Sequence, residues 1–124
     1  MSTNPLLAAF NAAVGFFNAQ DWAHLHPLLD DFVTMTRIDD PLSFHKGKSK
    51  ILFYCYTHGT TDRAVFTPDT ATQQTKTFGT IGLVIGSADW QNTSTASKRK
   101  VAYAFSFINK NGNWLALNLW GAYQ

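Results

Sequence analysis

The last third of the chain contains three long runs whose side chains divide, with period two, into two distinct faces. The runs cover residues 81–90, 101–109 and 114–120, and Asn111-Gly112 stands between the last two. Period-two alternation predicts strands, and an Asn-Gly pair between two such runs is typical of a tight hairpin turn. We therefore expect three long antiparallel strands at the end of the chain.

Both faces of these predicted strands are apolar. One face carries small residues and rings, namely Gly82, Val84, Gly86, Ala88, Trp90, Tyr103, Phe105, Phe107, Trp114, Ala116, Asn118 and Trp120. The other carries mainly aliphatic residues, namely Ile81, Leu83, Ile85, Ile108, Leu115, Leu117 and Leu119. An antiparallel sheet with one solvent-exposed face alternates apolar with polar residues, whereas here both faces are apolar and both need to be covered. We therefore expect helices on the first face and a second copy of the chain on the other. The alternative is a sheet that curls enough to bury both faces itself.

The first half of the chain shows the apolar spacing of helices, interrupted by one strand. Leu6, Phe10, Val14 and Phe17 predict a helix from residue 4 to about residue 19, capped by Asn4 or Thr3. The further predicted elements are a helix over 22–29, a strand over 31–38, a helix over 48–58 ended by Gly59, and a strand over 64–77 interrupted at Pro68-Asp69. We expect a single α+β domain spanning residues 1–124, in which a curved antiparallel sheet covers three helices of the N-terminal half.

Composition and charge narrow the classes of function. The formal net charge is +2, and the basic residues concentrate in two short clusters, 46–50 and 98–100, which favours solvated edges over a nucleic-acid interface. No apolar run is long enough to span a bilayer, no signal peptide is visible, and the single Cys55 fits a reducing compartment. We therefore expect a cytoplasmic protein that binds neither nucleic acid nor membrane.

The chain offers no metal or cofactor pattern. His24 and His26 are two residues apart on a predicted helix, which turns their side chains to different sides, and no other cluster has metal-ligand spacing. Gly79, Gly82 and Gly86 fall within or beside a predicted strand and indicate bends in a curving sheet, not a phosphate loop. We expect no cofactor and no metal.

Three groups of motifs, in their order along the chain, carry a family resemblance. They are Phe17-Asn-Ala-Gln-Asp21 with Leu28-Leu-Asp-Asp31, then Phe44-His-Lys-Gly47 with Ile51-Leu-Phe53, and finally Trp90, Tyr103-Ala-Phe105-Ser-Phe107, Asn111-Gly-Asn-Trp114 and Leu119-Trp120-Gly121. In this order they resemble the nuclear-transport-factor-2-like superfamily, in its ketosteroid-isomerase and SnoaL-like polyketide-cyclase branch. The resemblance implies a cone-shaped (cystatin-like) sheet around three helices, an apolar pocket, and a homodimer formed through the outer sheet face. The superfamily includes isomerases, dehydratases, cyclases, epoxide hydrolases and non-catalytic proteins, so the fold leaves the function open.

The resemblance also implies a catalytic carboxylate. Asp40-Pro41 resembles the Asp-Pro motif whose Asp moves protons in the isomerases, because a carboxylate at the mouth of an apolar pocket has its pKa raised by desolvation. Asp39 would raise that pKa further, whereas Arg37 would lower it or form an arginine–aspartate pair as in the epoxide hydrolases. The alternative is a plain Asp-Asp-Pro turn in solvent.

Two further positions correspond to catalytic groups of that branch. Tyr103 occupies the strand position of a hydrogen-bonding acid, but Ala13 stands where the isomerases carry a tyrosine. One donor in place of two would weaken enolate stabilisation by a few kcal/mol, which argues against steroid isomerisation. His45, beside the start of the predicted third helix, is either an auxiliary acid or base or a capping or packing residue.

The pocket wall follows from the same correspondence. It would contain Tyr54, Val84, Ala88, Trp90, Tyr103, Phe105, Ala116, Asn118 and Trp120. Asn118 on a buried face needs a hydrogen-bond partner, which would be a ligand, a water or another side chain. Two functions stay open: a protein that binds a small hydrophobic molecule, with or without Asp40-based isomerase, dehydratase or cyclase chemistry, and a non-catalytic dimeric binding or assembly domain whose cone is filled.

Overall fold

The computed structural model describes residues 4–40 and 42–124, so the alternative cap Thr3 and the proline of Asp40-Pro41 lie outside the described residues. The helices are α1 (Pro5–Asn18), α2 (Trp22–Leu25) and α3 (Lys48–Thr61), and a 3-10 turn over His26–Leu28 follows α2. The strands are β1 (Leu29–Arg37), β2 (Phe44–Lys46), β3 (Ala64–Pro68), β4 (Gln74–Phe78), β5 (Ile81–Asn92), β6 (Ser97–Lys110) and β7 (Asn113–Tyr123).

Local chemistry sets the beginnings and ends of the first two helices. The Asn4 side chain accepts hydrogen bonds from the backbone N–H groups of Leu6 and Leu7, at 3.1 and 3.2 Å, and so caps α1. The Asp21 carboxylate caps α2 by accepting from the backbone of His24 at 3.2 Å. Pro27 falls within the following 3-10 turn, so the predicted helix over 22–29 is shorter than expected.

The third helix continues past the glycine that was predicted to end it. α3 runs through Gly59 to Thr61 and ends at the C-cap residue Asp62. A methyl group at Gly59 would collide with the indole of Trp22, which lies against the helix at this point. The glycine is therefore explained by the close approach of α2 and not by a helix stop.

The strands form one curved, unclosed sheet in the order β2-β1-β7-β6-β5-β3, with β4 paired to β5 as well. The expected α+β architecture is confirmed, as are the three long final strands and the break between β3 and β4. The sheet is mixed and not antiparallel throughout, because β1 runs parallel to β7. The three-residue strand β2 was not predicted, since it is too short to show a period.

A bulge in β7 changes which side chains face the helices. In the β6–β7 ladder Phe107 is opposite Ala116, whereas Ser106 is opposite Asn118. Leu117 is therefore an extra residue with no partner on β6. One extra residue turns every following side chain to the other face of a strand. The alternation expected for β7 therefore holds up to Ala116 and fails after Leu117.

Beyond this bulge the predicted faces are reversed. Leu119 packs against the buried core, although it was expected on the outer face. Trp120 is opposite Ala104, a residue of the outer face of β6, and is 45% exposed. The prediction that Asn118 and Trp120 share the inner face of the sheet is wrong for this reason.

Helix α1 is fixed to the inner face of the sheet at its middle and at its end. Phe10 is fully buried, and its ring centre lies 5.5, 5.8 and 6.5 Å from those of Tyr103, Phe105 and Phe107. At the end of α1, the Asn18 side chain donates to the backbone carbonyl of Phe66 and accepts from its N–H, both at 2.8 Å. These contacts hold the helix over the sheet, where the candidate site lies.

Candidate functional site

An apolar cavity of about 160 Å³ lies between the helices and the inner face of the sheet. Helical residues contribute Phe10, Ala13, Val14, Phe17, Leu25, Tyr54 and Cys55 to its wall. The sheet contributes Leu29, Met35, Thr36, Arg37, Phe66, Trp90, Val101, Tyr103, Phe105, Phe107, Ala116 and residues 119–123. Nearly all of this wall is hydrocarbon or aromatic ring, so the interior favours an apolar occupant.

Most, but not all, of the residues predicted for the pocket lie in this wall. Those present are Tyr54, Trp90, Tyr103, Phe105 and Ala116, and Trp120 also borders the cavity although it follows the bulge and is opposite Ala104 of the outer face. Val84 and Ala88 are instead buried in the core, with 0% and 1% of their surface exposed. The predicted list omitted the cavity-facing residues of α1, which its helical apolar spacing already indicated.

Asn118 does not border the cavity, and its amide has partners within the protein. The Thr34 hydroxyl donates to its oxygen at 2.7 Å, and its nitrogen donates to the Ser106 hydroxyl at 2.9 Å. These three side chains lie on the outer side of the sheet, on adjacent strands. The Asn118 amide thus finds its hydrogen-bond partners in other side chains, which was one of the alternatives left open.

Asp40 lies in the turn between β1 and β2 and is not part of the cavity wall. Its carboxylate accepts a hydrogen bond from the backbone N–H of Leu42 at 3.1 Å, and its own backbone N–H donates to the carbonyl of Arg37 at 3.1 Å. The neighbouring Asp39 carboxylate accepts from the Arg37 guanidinium at 2.9 Å. Both acids of the Asp-Asp pair are therefore engaged within the turn itself.

His45 lies in β2 and is not itself part of the cavity wall, but it contacts a residue that is. Its ring centre is 4.9 Å from that of Tyr54, a residue of the wall. On its other side Tyr54 lies 4.3 Å from the ring of His58, whose Nδ1 is 2.8 Å from an Asp62 oxygen. His45 thus packs against a wall residue, and Asp62 orients the neighbouring histidine.

Tyr103 is the one predicted catalytic residue that borders the cavity. The residue is 4% exposed, its ring stacks on Phe10, and its hydroxyl accepts a hydrogen bond from the Gln73 amide at 3.3 Å. Burial raises the pKa of Tyr103, and the bond from Gln73 opposes that rise only in part. The phenol therefore stays protonated near neutral pH, with its oxygen directed to the β3–β4 loop.

The structure does not bring the predicted catalytic residues together. Asp40 follows β1, which lies next to the β2 edge of the sheet, whereas Gln73, the partner of Tyr103, precedes β4 beside the opposite edge. Sheet order thus separates the Asp40 turn from the Tyr103 hydroxyl.

A cluster that the sequence did not assign to the site lies where the wall reaches solvent. The Arg37 guanidinium carbon is 4.4 Å from the centre of the Tyr123 ring, and that of Arg99 is 3.6 Å from the same ring. Arg37 and Tyr123 belong to the wall, but Arg99 does not. The sequence could have indicated the position of Arg37, because side chains alternate between the faces of β1 and Arg37 falls on the same face as the apolar Val33 and Met35.

Burial keeps two other residues of the cavity wall, Tyr54 and Cys55, neutral. Burial, reinforced by the neighbouring Tyr123, raises the pKa of Tyr54 to about 12. Burial alone raises the pKa of the Cys55 thiol to about 12, so it is a small apolar wall residue and not a nucleophile. The hydrogen bond to Asp39 raises the pKa of Arg37, which stays charged.

Within residues 4–40 and 42–124, no group of three or more His, Cys, Asp or Glu side chains is placed to hold a metal ion. In the same residues, no helix has both the length and the apolar character needed to cross a bilayer.

Comparisons with known proteins bear on the fold. Neither a protein-family model nor a curated protein matches the chain. Among solved structures, a candidate dehydratase of the NTF2-like family from Streptomyces avermitilis is similar, with a TM-score of 0.83 at 12% identity, over 97% of this chain and 94% of that one.

Two further similar structures contain or are designed for small molecules. A Mycobacterium tuberculosis protein in complex with estradiol-17beta-hemisuccinate has a TM-score of 0.71 at 18% identity, over 96% of this chain and 93% of that one. A computationally designed 17-OHP binder has a TM-score of 0.69 at 22% identity, over 99% and 93% of the two chains. At these identities the likeness concerns the fold, and assignment to the SnoaL-like branch stays a prediction. The chain has the NTF2-like, cystatin-like fold that its motifs resembled.

Proposed function

We propose that this protein binds a small, mostly hydrophobic molecule inside the cone. The observation that carries the proposal is the cavity of about 160 Å³, whose wall is made almost wholly of aromatic and aliphatic side chains. Protein interiors are normally packed so closely that side chains would fill a space of this size. A space left unfilled therefore favours a ligand. The Mycobacterium tuberculosis protein and the designed binder, which share the fold, support the use of such a cavity for a ligand.

The volume limits the size of the molecule. An apolar cavity of about 150 Å³ is known to hold benzene, so a cavity of about 160 Å³ accommodates a single ring with a small substituent. Larger drug-sized ligands occupy sites of roughly 300 Å³ or more. The proposed ligand is therefore smaller than a steroid.

Binding, and not proton transfer by Asp40, is the function that we propose. The Asp40 carboxylate is hydrogen-bonded to Leu42 within its own turn and lies outside the wall. The Streptomyces avermitilis protein supports a dehydratase as the alternative, with Asp40, Tyr103 and His45 in the roles predicted from sequence. Catalysis by these residues stays a prediction.

Toluene, which has one ring and one methyl group, is a suitable probe of the cavity. We expect it to shift the NMR resonances of the cavity methyl groups of the unmodified protein. Ala13→Phe, which puts a ring into the space, should abolish this effect because Ala13 is a wall residue. Ala8→Phe is the matched control, since Ala8 is an exposed residue of the same helix. Toluene shifts that are absent, or that persist in Ala13→Phe, would contradict the proposal.

We also propose that the outer face of the sheet pairs with a second copy of the chain. The support is the partly exposed apolar side chains on that face, including Ile81, Leu83, Ile85 and Trp120. Ile85→Lys should convert a dimer to a monomer in sedimentation measurements, and a monomeric unmodified protein would end this proposal. A location in the cytoplasm stays a prediction.

A further inference from the structure

The cavity reaches solvent beside the ring of Tyr123. Tyr123 is the last residue of β7, and it belongs to the cavity wall together with Arg37 at the end of β1. The Arg37 side chain is 35% exposed, whereas Phe10 and Phe107, in the same wall, are fully buried or nearly so. A molecule in the cavity therefore has one end among buried rings and the other end near Tyr123.

A second guanidinium lies over this ring from the neighbouring strand. The Arg99 guanidinium carbon is 3.6 Å from the centre of the Tyr123 ring. Along β6, Arg99 falls on the same face as Val101, a wall residue that is opposite Tyr123 in the β6–β7 ladder. Arg99 itself is exposed. It therefore lies at the rim of the cavity, where attraction to the aromatic face helps to hold its guanidinium.

Arg99 differs from its basic neighbours in having no acid partner among the described residues. None of the ion pairs within residues 4–40 and 42–124 includes it. Lys98, on the other face of β6, lies 3.4 Å from an Asp89 oxygen, and Arg37 donates to Asp39 at 2.9 Å. A guanidinium stacked on a ring uses its face, so its N–H groups stay available in its plane. The charge of Arg99 is therefore open to a ligand.

The wall favours a negative ligand group at this rim over a positive one. It contains no carboxylate, so no wall group would repel an anion placed beside Arg99. Asp39 follows β1 and pairs with Arg37, whereas Arg99 belongs to β6, and β7 lies between these two strands. A cationic group would meet the charge of Arg99 with no acid in the wall to compensate it. The rim therefore suits a carboxylate.

We propose that the molecule bound in the cavity is an amphipathic acid whose apolar body fills the cavity and whose carboxylate binds Arg99 at the rim. A guanidinium can donate two parallel hydrogen bonds to a carboxylate. Because the Tyr123 ring already holds the guanidinium, less side-chain freedom is lost on binding. This inference rests on the proposed function and adds the chemical class of the ligand.

The test compares two probes that differ only in charge. Hydrocinnamate and its amide both carry a phenyl ring on a two-carbon chain, but only the first ends in a carboxylate. In calorimetric titrations we expect hydrocinnamate to bind the unmodified protein more tightly than the amide. Arg99→Met should weaken hydrocinnamate binding by about three- to tenfold and leave amide binding unchanged. Lys98→Met is the matched control, because it removes the same charge from the other face of β6 and should change neither affinity.

The outcomes separate this inference from the function on which it rests. If Arg99→Met weakens both probes equally or neither of them, or if Lys98→Met weakens hydrocinnamate as much, the carboxylate does not bind Arg99 and the inference fails, while binding in the cavity stands. An amide that binds the unmodified protein more tightly than hydrocinnamate would also overturn it. If neither probe nor toluene binds, the proposed function itself fails. Arg99→Gln removes the same charge and gives the same comparison should Arg99→Met not fold.

Discussion

The Arg37 guanidinium carbon lies 4.4 Å from the centre of the Tyr123 ring, where the first strand meets the end of the last. A cation over an aromatic face is attracted by the ring's quadrupole. Because β1 and β7 run parallel, the two residues lie near the same end of adjacent strands. This contact helps to hold Arg37 at the cavity.

Loss of the Tyr123 ring should weaken this arrangement measurably. We expect the double-mutant cycle of Arg37→Met and Tyr123→Leu to give a coupling of about 0.5–1 kcal/mol in the free energy of unfolding, measured by denaturant titration. Tyr56→Leu replaces Tyr123→Leu in the control cycle, since Tyr56 is exposed and contacts Trp22. A coupling of the same size in both cycles would show that the contact is not specific.

Replacement of the predicted base should leave ligand binding intact. Asp40→Asn keeps an oxygen that accepts from the Leu42 N–H, and Asp40 is not a wall residue. We therefore expect an unchanged toluene affinity in calorimetric titrations. Loss of binding in Asp40→Asn would place this carboxylate in the site and revive the catalytic prediction.

Two asparagines of α1 should differ sharply in their effect on stability. Asn18→Ala removes both hydrogen bonds to the backbone of Phe66 and leaves a largely buried N–H and C=O unpaired, at a cost of about 2 kcal/mol. Asn11→Ala changes an exposed residue of the same helix and should alter stability by less than about 0.5 kcal/mol. Equal values in thermal unfolding would mean that the Asn18 bonds contribute nothing.

Two helical glycines offer a second matched pair. Gly15 has no atom within 4 Å of an added methyl group, so Gly15→Ala should stabilise the protein by roughly 0.5–1 kcal/mol. Gly59→Ala forces the methyl group into Trp22 and should destabilise it by roughly 1–3 kcal/mol despite the better helix former. Urea titration distinguishes them, and a stabilising Gly59→Ala would contradict the observed packing of α2 on α3.

Acid should remove a contribution from Asp30, which is 2% exposed. Burial opposes its ionisation, but the Lys110 ammonium 2.5 Å away, the Phe32 N–H and the charge of Lys48 outweigh burial and lower its pKa below 3.8. A depressed folded-state pKa stabilises the protein above the unfolded pKa, and that contribution is lost as the pH falls through the folded value.

The corresponding variant is Asp30→Asn. The unmodified protein should exceed it in unfolding free energy at pH 7, and the difference should shrink as the pH falls below about 4. A difference that stays constant between pH 7 and pH 2 would show that the Asp30 charge is not involved. Asp31→Asn is the control, because Asp31 is exposed and its contact with Lys48 is 3.9 Å long.

Sequence alone determined the elements and the general plan of this protein. The spacing of Phe10 and its neighbours and the period-two runs of the last three strands are local patterns, and each reflects the repeat of one helix or strand. The motifs from Phe17 to Trp120 were sufficient to indicate the cone-shaped fold. They also indicated a pocket lined by Tyr54, Trp90, Tyr103 and Phe105.

Only the tertiary structure decided which side chains meet at the cavity. The extra residue Leu117 turned Asn118 outward and Leu119 inward, and a bulge depends on the pairing of two strands and not on the sequence of one. The parallel pairing of β1 with β7 brought Arg37 beside Tyr123, although 85 residues lie between them along the chain. Such contacts arise from strand order across the whole sheet, which no local pattern of apolar and polar residues specifies.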